Sequence, residues 1–363
     1  VTGATGPGRG PTARPTPGVG RSAPPTPRTD RPGAPGTTTA AYVDRTGPAG
    51  SIRVGPLPAP EPMPTEVLVR VEASPVNRVD TFVRSGAFRT PLTFPFVIGR
   101  DLAGTVLRVG TAVTGFAPGD RVWCNSMGHA GRPGAAAGRV AVPAERLYPV
   151  PAGVDPLTAV AVAHPAATAY LALVTHARVR PGEVVLVIGA GGNVGSAAVT
   201  LARAAGARVV ATAHPRDADH CAALGAEPVI DYRDADWAAQ VRRACPSGVD
   251  VVLDAAGVND LTSTVGLLAA RGRVLVLAGL GTTPTLPAGE LYLRDGAVLG
   301  FVISHATVAE LADAARAINA LLADGRLRAR TVETLPLADA AEAHRRAEDG
   351  LHGVRTLLLP TPP

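Results

Sequence analysis

Val184-Val-Leu-Val-Ile-Gly-Ala-Gly-Gly-Asn-Val-Gly195 runs directly into the apolar segment Ala197-Ala-Val-Thr-Leu-Ala202. Five consecutive apolar residues read as a strand covered on both faces, because a strand with one wet face would alternate. The strand ends in glycines spaced Gly189-x-x-Gly192-x-x-Gly195 and then opens a helix. Missing Cβ atoms permit a tight turn, close approach of a pyrophosphate and close helix–strand contact. The helix N-terminus adds free N–H groups and a positive dipole end. Glycine spacing alone is a weak signal; with both flanks correct it predicts dinucleotide binding, through Gly189, Gly191, Gly192, Asn193, Val194 and Gly195.

Working outward, apolar strands expected at 208–212, 228–231, 249–254 and 272–278 alternate with helices at 217–224, 235–244 and 261–268. That alternation predicts a parallel, doubly wound sheet. An Ala-rich helix is expected at 157–175. A strand at 298–303, helices at 307–324 and 337–348, and a last strand at 356–359 follow. The N-terminal half has another character. Short strands at 67–71, 102–109 and 139–142, broken by turns such as Pro118-Gly119, suggest a small irregular β-barrel.

The end of the second strand, Val209-Val-Ala-Thr-Ala-His-Pro-Arg216, bears on cofactor choice. An NAD site places Asp or Glu there for the ribose 2′-OH, whereas an NADP site leaves room and supplies Arg for the 2′-phosphate. No acid precedes Asp217, and Thr212, His214 and Arg216 stand there instead, so NADPH is expected.

Composition narrows the class. At 363 residues, 46% hydrophobic, the chain has material for two domains and a large core, which excludes wholesale disorder. All 35 basic residues are Arg, so lysine Schiff-base chemistry is excluded. Residues 1–39 hold nine Pro, eight Gly and five Arg against one acid, and read as a disordered Pro/Gly/Arg-rich tail. The net charge of +5 comes mostly from that tail, which lacks aromatic residues for stacking, so a nucleic-acid partner is not expected. Cys124, Cys221 and Cys245 form no CxxC pair, and no apolar leader or membrane-spanning run stands out, which suggests a cytoplasmic protein.

With the nucleotide half in place, Val76-Asn-Arg-Val-Asp-Thr-Phe-Val-Arg-Ser-Gly-Ala-Phe88 and Phe94-Pro-Phe-Val-Ile-Gly-Arg-Asp-Leu-Ala-Gly-Thr-Val106 become informative. With Gly119-Asp-Arg-Val122, Ala167-Thr-Ala-Tyr170 and Leu335-Pro-Leu-Ala-Asp-Ala-Ala-Glu-Ala-His344, the chain resembles the zinc-independent quinone oxidoreductases, the zeta-crystallin type, of the medium-chain dehydrogenase/reductase superfamily. The resemblance covers about residues 39–360. It implies a GroES-like irregular β-barrel catalytic domain from 39–160 and 304–363, a Rossmann NADP-binding domain from 161–303 and the tail at 1–38. It also implies a homodimer or homotetramer and a small electrophilic substrate. Activity would be NADPH-dependent reduction of a quinone or α,β-unsaturated carbonyl. Alternatives are an enoyl-thioester reductase and a cofactor-binding interaction protein with little turnover.

Zinc-using relatives place metal ligands where this chain has Asn77, Arg100 and His164, and three protein ligands cannot be assembled from these, so no metal is expected. The resemblance puts Asn77 beside the nicotinamide as an amide donor. Arg100 either stabilises an oxyanion, binds an acidic substrate group, or pairs with Asp101 or Asp80. Phe88, where relatives often carry Tyr, and His164 are expected on the substrate-pocket wall. Tyr232, Ala278, Gly279, Val302 and Ile303 complete the expected cofactor contacts, with Tyr232 either beside the adenine or packed on the sheet edge.

Overall fold

The computed structural model describes residues 1–4, 6, 36–350 and 353–360. The chain divides into two units, Val1–Pro35 and Gly36–Pro363, and the expected disordered tail lies almost wholly outside the described residues. Every strand and helix among the described residues belongs to the second unit.

The strand Val184–Ile188 sits at the centre of a six-stranded sheet in the order Ala226–Asp231, Arg208–Ala213, Val184–Ile188, Val249–Asp254, Leu268–Val276, Ala297–Gly300. Every pairing is parallel. Counted from the glycine strand the order is 3-2-1-4-5-6, which brings all the carboxyl ends to one edge and opens a crevice where the order reverses. Helices cover both faces, so the central strands are apolar throughout: Val185, Leu186 and Val187 are fully buried, as are Val251, Val252 and Leu253.

The other half is built from both chain ends. Strand Glu66–Pro75 pairs antiparallel with Leu102–Val109 on one side. On its other side it meets Arg139–Pro143 along its first half and Val354–Leu359 at its end. Register shifts near Leu68 and Val71 mark irregularities that let one long strand bend between partners. Arg121–Cys124 and Tyr148–Pro149 continue the sheet on one flank, and Thr331–Pro336 closes the other. Val67, Val69, Leu102, Val122 and Val142 fill its core.

Helix Pro156–Tyr170 joins the halves. Asp155 caps it, accepting from the Thr158 N–H at 3.0 Å, and Pro156 stands where a helix N–H would be unbonded anyway. Its many alanines let the barrel strands, helix Asn193–Ala204 and helix Val308–Ala323 approach from several sides. With the irregular turn Leu171–His176 that follows, it is long and apolar enough to cross a membrane, yet most of it is buried in this core.

Two expected boundaries need correction. The helix expected at 261–268 stops at Val265, and strand Leu268–Val276 begins at the last residue of the expected helix. Leu267 and Leu268 continue the apolar pattern of the helix but are core residues of the next segment. The strand expected at 298–303 is Ala297–Gly300, and Ile303 instead starts a single turn, Ile303–His305.

Trp123 is fully buried, and its indole N–H donates to Asn319 Oδ1 at 3.0 Å, while Asn319 Nδ2 donates to the Pro149 carbonyl at 2.9 Å. Asn319→Ala strands a buried donor and is expected to cost about 1–3 kcal/mol in urea unfolding; an unchanged midpoint would show that this tie between barrel and helix carries no load.

Candidate functional site

The glycine turn is shaped by contacts that exclude Cβ atoms. Gly189 adopts φ +76°, a conformation that favours glycine. A Cβ on Gly195 would lie 2.2 Å from the Gly189 carbonyl oxygen, so helix Asn193–Ala204 can seat against the strand end only with glycine there. The N–H groups of Gly189 and Ala190 both donate to the Thr212 carbonyl, at 3.1 and 3.0 Å, fixing the turn to the neighbouring strand. No side chain caps the helix at Gly192, and the first N–H to bond back to it belongs to Ser196. The Gly192 N–H is used within the turn, donating to the Gly189 carbonyl at 3.1 Å, and those of Asn193, Val194 and Gly195 are open to an anion. This cradle fits the pyrophosphate of a dinucleotide.

The other expected cofactor residues lie at or just beyond strand ends on the same carboxyl edge, Thr212 within the last two residues of its strand. Thr212 is fully buried and its hydroxyl has no hydrogen-bond partner. His214 accepts from the Arg216 N–H at 3.2 Å and stands 3.4 Å from Arg233 Nη1. Tyr232 is half-exposed, its ring 6.5 Å from that of His214. Ala278 and Gly279 form a left-handed turn after Leu268–Val276, beside Asn259. Asp254 organises the neighbouring loop by accepting from the N–H groups of Ala256 and Gly257 at 2.9 and 3.0 Å. Sequence reading missed Arg233 and Arg330. Arg233 clasps the Asp231 carboxylate, with Nη2 2.8 Å from Oδ2. Arg330 crosses from the barrel half to Asp217, which packs against Gly191.

Asn77, Arg100 and His164, far apart in sequence, converge on two buried carboxylates. Asn77 caps helix Arg78–Ser85 and donates through Nδ2 to Asp101 at 2.8 Å and Asp80 at 3.2 Å. Its Oδ1 accepts from Arg355 at 3.0 Å. His164 Nδ1 and Asp101 Oδ1 are 3.3 Å apart. Burial pushes the Asp80 carboxyl up to about 6; Asp101 adds to this and Arg100 opposes it. This changes the expectation for Asn77: its amide hydrogens are spent on carboxylates, so it is placed to position rather than to donate to substrate. His164, expected on the pocket wall, is buried behind it and holds Asp101.

Arg100 is 2% exposed, with Nε 3.9 Å from Asp80 and no hydrogen bond from either Nε or Nη2. It lines a pocket of about 240 Å³ together with Ile303, Ser304 and His129. Phe88 stands behind His129, ring centroids 5.8 Å apart. Two further arginines in this pocket, Arg132 and Arg146, escaped sequence reading. Among the described residues no three His, Cys, Asp or Glu side chains are grouped to hold a metal ion. An amide, a guanidinium and an imidazole with positive charge at its centre are a poor donor set for zinc, so zinc does not fit here.

Residues 193–319 match the family model for zinc-binding dehydrogenases, and residues 63–152 that for the alcohol dehydrogenase GroES-like domain. The quinone oxidoreductase of Mus musculus is 32% identical over 299 residues, 81% of this chain and 88% of that protein. The solved quinone oxidoreductase of Pseudomonas syringae pv. Tomato DC3000 superposes with a TM-score of 0.79 at 29% identity, covering 89% of this chain and 100% of that one. A mycobacterial protein solved in complex with NADPH gives a TM-score of 0.78 at 30% identity, with the same coverage.

The Asp80 shift has a consequence for stability. The folded protein holds this proton more tightly than the unfolded chain, so its contribution is full below pH 3.8 and is lost as pH rises through about 6. The loss amounts to roughly 3 kcal/mol. Unfolding free energies of wild type and Asp80→Asn, measured from pH 3.5 to 7, are expected to diverge in favour of the variant as pH rises; parallel curves would contradict the assignment.

Proposed function

The chain belongs to the quinone oxidoreductase family of the medium-chain dehydrogenase/reductase superfamily, and on that premise we propose that it is an NADPH-dependent reductase of quinones or α,β-unsaturated carbonyl compounds. The observation that carries NADPH over NADH is the state of the carboxylates at the ends of the neighbouring strands Arg208–Ala213 and Ala226–Asp231. An NADH site needs one free to accept from the ribose 2′-OH. Here Asp217 is held by Arg330 and packed on Gly191, and Asp231 is clasped by Arg233. The Arg233 guanidinium stands 3.4 Å from the His214 ring, and the exposed Arg216 follows two residues later with its N–H bonded to that ring, a setting for a 2′-phosphate.

A bound reduced nicotinamide supplies a hydride, and solvent supplies the proton that completes the two-electron reduction. The chain's own contribution is positioning and charge. The turn Gly189–Gly195, the Ala278-Gly279 turn and the Val302-Ile303 segment would hold the dinucleotide along the carboxyl edge. Arg100 would stabilise negative charge growing on the acceptor's carbonyl oxygen, and its burial lowers the local dielectric and strengthens that effect. Asn77, Asp80, Asp101, His164 and Arg355 would fix the floor from which Arg100 projects. Among the described residues the terminal strand Ala297–Gly300 has a partner on one side only, with Tyr292 and Leu293 exposed beside it, and we read this edge as the contact in a homodimer or homotetramer.

Steady-state rates with one quinone and one alkenal test the proposal. NADPH is expected to exceed NADH in kcat/KM by about 10-fold or more, and Arg216→Ala combined with Arg233→Ala to erase most of that margin through KM for NADPH. A preference for NADH, or a margin unmoved by the double variant, would overturn the cofactor assignment. Turnover confined to enoyl-thioesters would overturn the substrate assignment.

A further inference from the structure

The pocket beside Ile303 carries more positive charge than reduction of a neutral acceptor requires. Among the described residues three guanidiniums, Arg100, Arg132 and Arg146, line it, and no carboxylate does. The acids that touch them do so from outside: Asp80 lies 3.9 Å behind Arg100, and the mostly exposed Glu145 lies 3.9 Å from Arg146. Arg132 and Arg146 are anchored rather than satisfied. Arg132 Nε donates to the Ser126 carbonyl at 3.1 Å, and Arg146 Nη1 to the Ser126 hydroxyl at 3.4 Å. Arg100, almost fully buried, keeps Nε and Nη2 unbonded, and the Ser304 hydroxyl and Asn125 Oδ1 are also without a partner. A buried polar group without a partner is costly, and the donors among these three residues lining one pocket point to a ligand that supplies acceptors.

The electrostatics agree with the geometry. Burial, together with Arg100, Arg132, His305 and Arg146, pushes His129 down to about 4, so this imidazole stays neutral at physiological pH and remains usable as a hydrogen-bonding wall. Burial likewise pulls Arg100 below its ordinary value, against the pull of Asp80 and Asp101. An anion entering the pocket would offset the repulsion among the three cations. A neutral quinone would leave it in place.

We infer that the substrate is an acid: a small conjugated carbonyl compound whose carboxylate is bound by Arg132 and Arg146 while its carbonyl oxygen faces Arg100. The inference rests on the reductase reading and narrows its substrate class. Paired guanidiniums suit the two oxygens of a carboxylate, and they also suit a phosphate, so the test separates the two.

Rates are measured with 4-oxopent-2-enoic acid and its methyl ester, which differ only in the charged group. The acid is expected to exceed the ester in kcat/KM by about 100-fold. Arg132→Gln and Arg146→Gln are each expected to cut that ratio about 10-fold or more, and Arg146→Lys, which keeps the charge, to cut it less. An ester used as well as the acid, or a ratio untouched by these variants, would overturn the inference. Calorimetric titration of the purified chain with benzoate and with inorganic phosphate, with and without NADPH, keeps the pocket testable if no acceptor is reduced. Saturable benzoate binding lost in Arg132→Gln supports it; no benzoate binding, or binding of phosphate alone, overturns the carboxylate assignment. Reduction of neutral quinones without any anion binding would refute the acid substrate and leave the reductase reading standing.

Discussion

The absence of a Cβ at Gly195 is the constraint on which the rest of the molecule turns. With the Gly189 carbonyl oxygen 2.2 Å from where that atom would sit, the helix and the strand end meet at a distance no other residue permits. That contact aims open helix N–H groups at the sheet's carboxyl edge, and the parallel order of the six strands places every other expected cofactor residue on the same edge. A bulkier residue there would move the helix, and with it the cradle.

The second organising feature is a buried polar floor contributed by distant parts of the chain. Asn77 and Asp80 come from one helix start, Asp101 from the segment before Leu102–Val109, His164 from the joining helix and Arg355 from the last strand. Arg355 ties this floor to the joining helix by donating to the Ala161 carbonyl at 2.8 Å. Such a network is costly if any member lacks a partner, and here the carboxylates and amide satisfy one another. The unbonded nitrogens of Arg100, a residue that also lines the pocket, stand out against that background.

Much of the nucleotide half is legible in the sequence because buried parallel strands carry continuous apolar runs, and glycines at a strand end have a local cause. The helix ending at Val265 is shorter than its pattern suggests because Leu267 and Leu268 extend the apolar periodicity without extending the helix. Asn77 and Arg100 can be singled out from the motif around them, and so can Asp80 as the partner of Arg100, but the partners of Asn77 cannot. Whether an amide donates to substrate or to a carboxylate is decided by Asp101, 24 residues away, and by Arg355 at the far end of the chain. The arginines of the pocket and of the nucleotide edge are hidden by composition. In a chain whose 35 basic residues are all Arg, Arg132, Arg146, Arg233 and Arg330 look like any others until the fold gathers them.

Amide hydrogen exchange on the purified chain, with and without NADPH, reads the glycine cradle itself. Exchange is expected to slow at the N–H groups of Gly191, Asn193, Val194 and Gly195 and in the segment from His214 to Arg216 when the dinucleotide is added. Unchanged exchange at the glycine turn, under conditions where the chain binds NADPH, would contradict the assignment of that cradle to the dinucleotide.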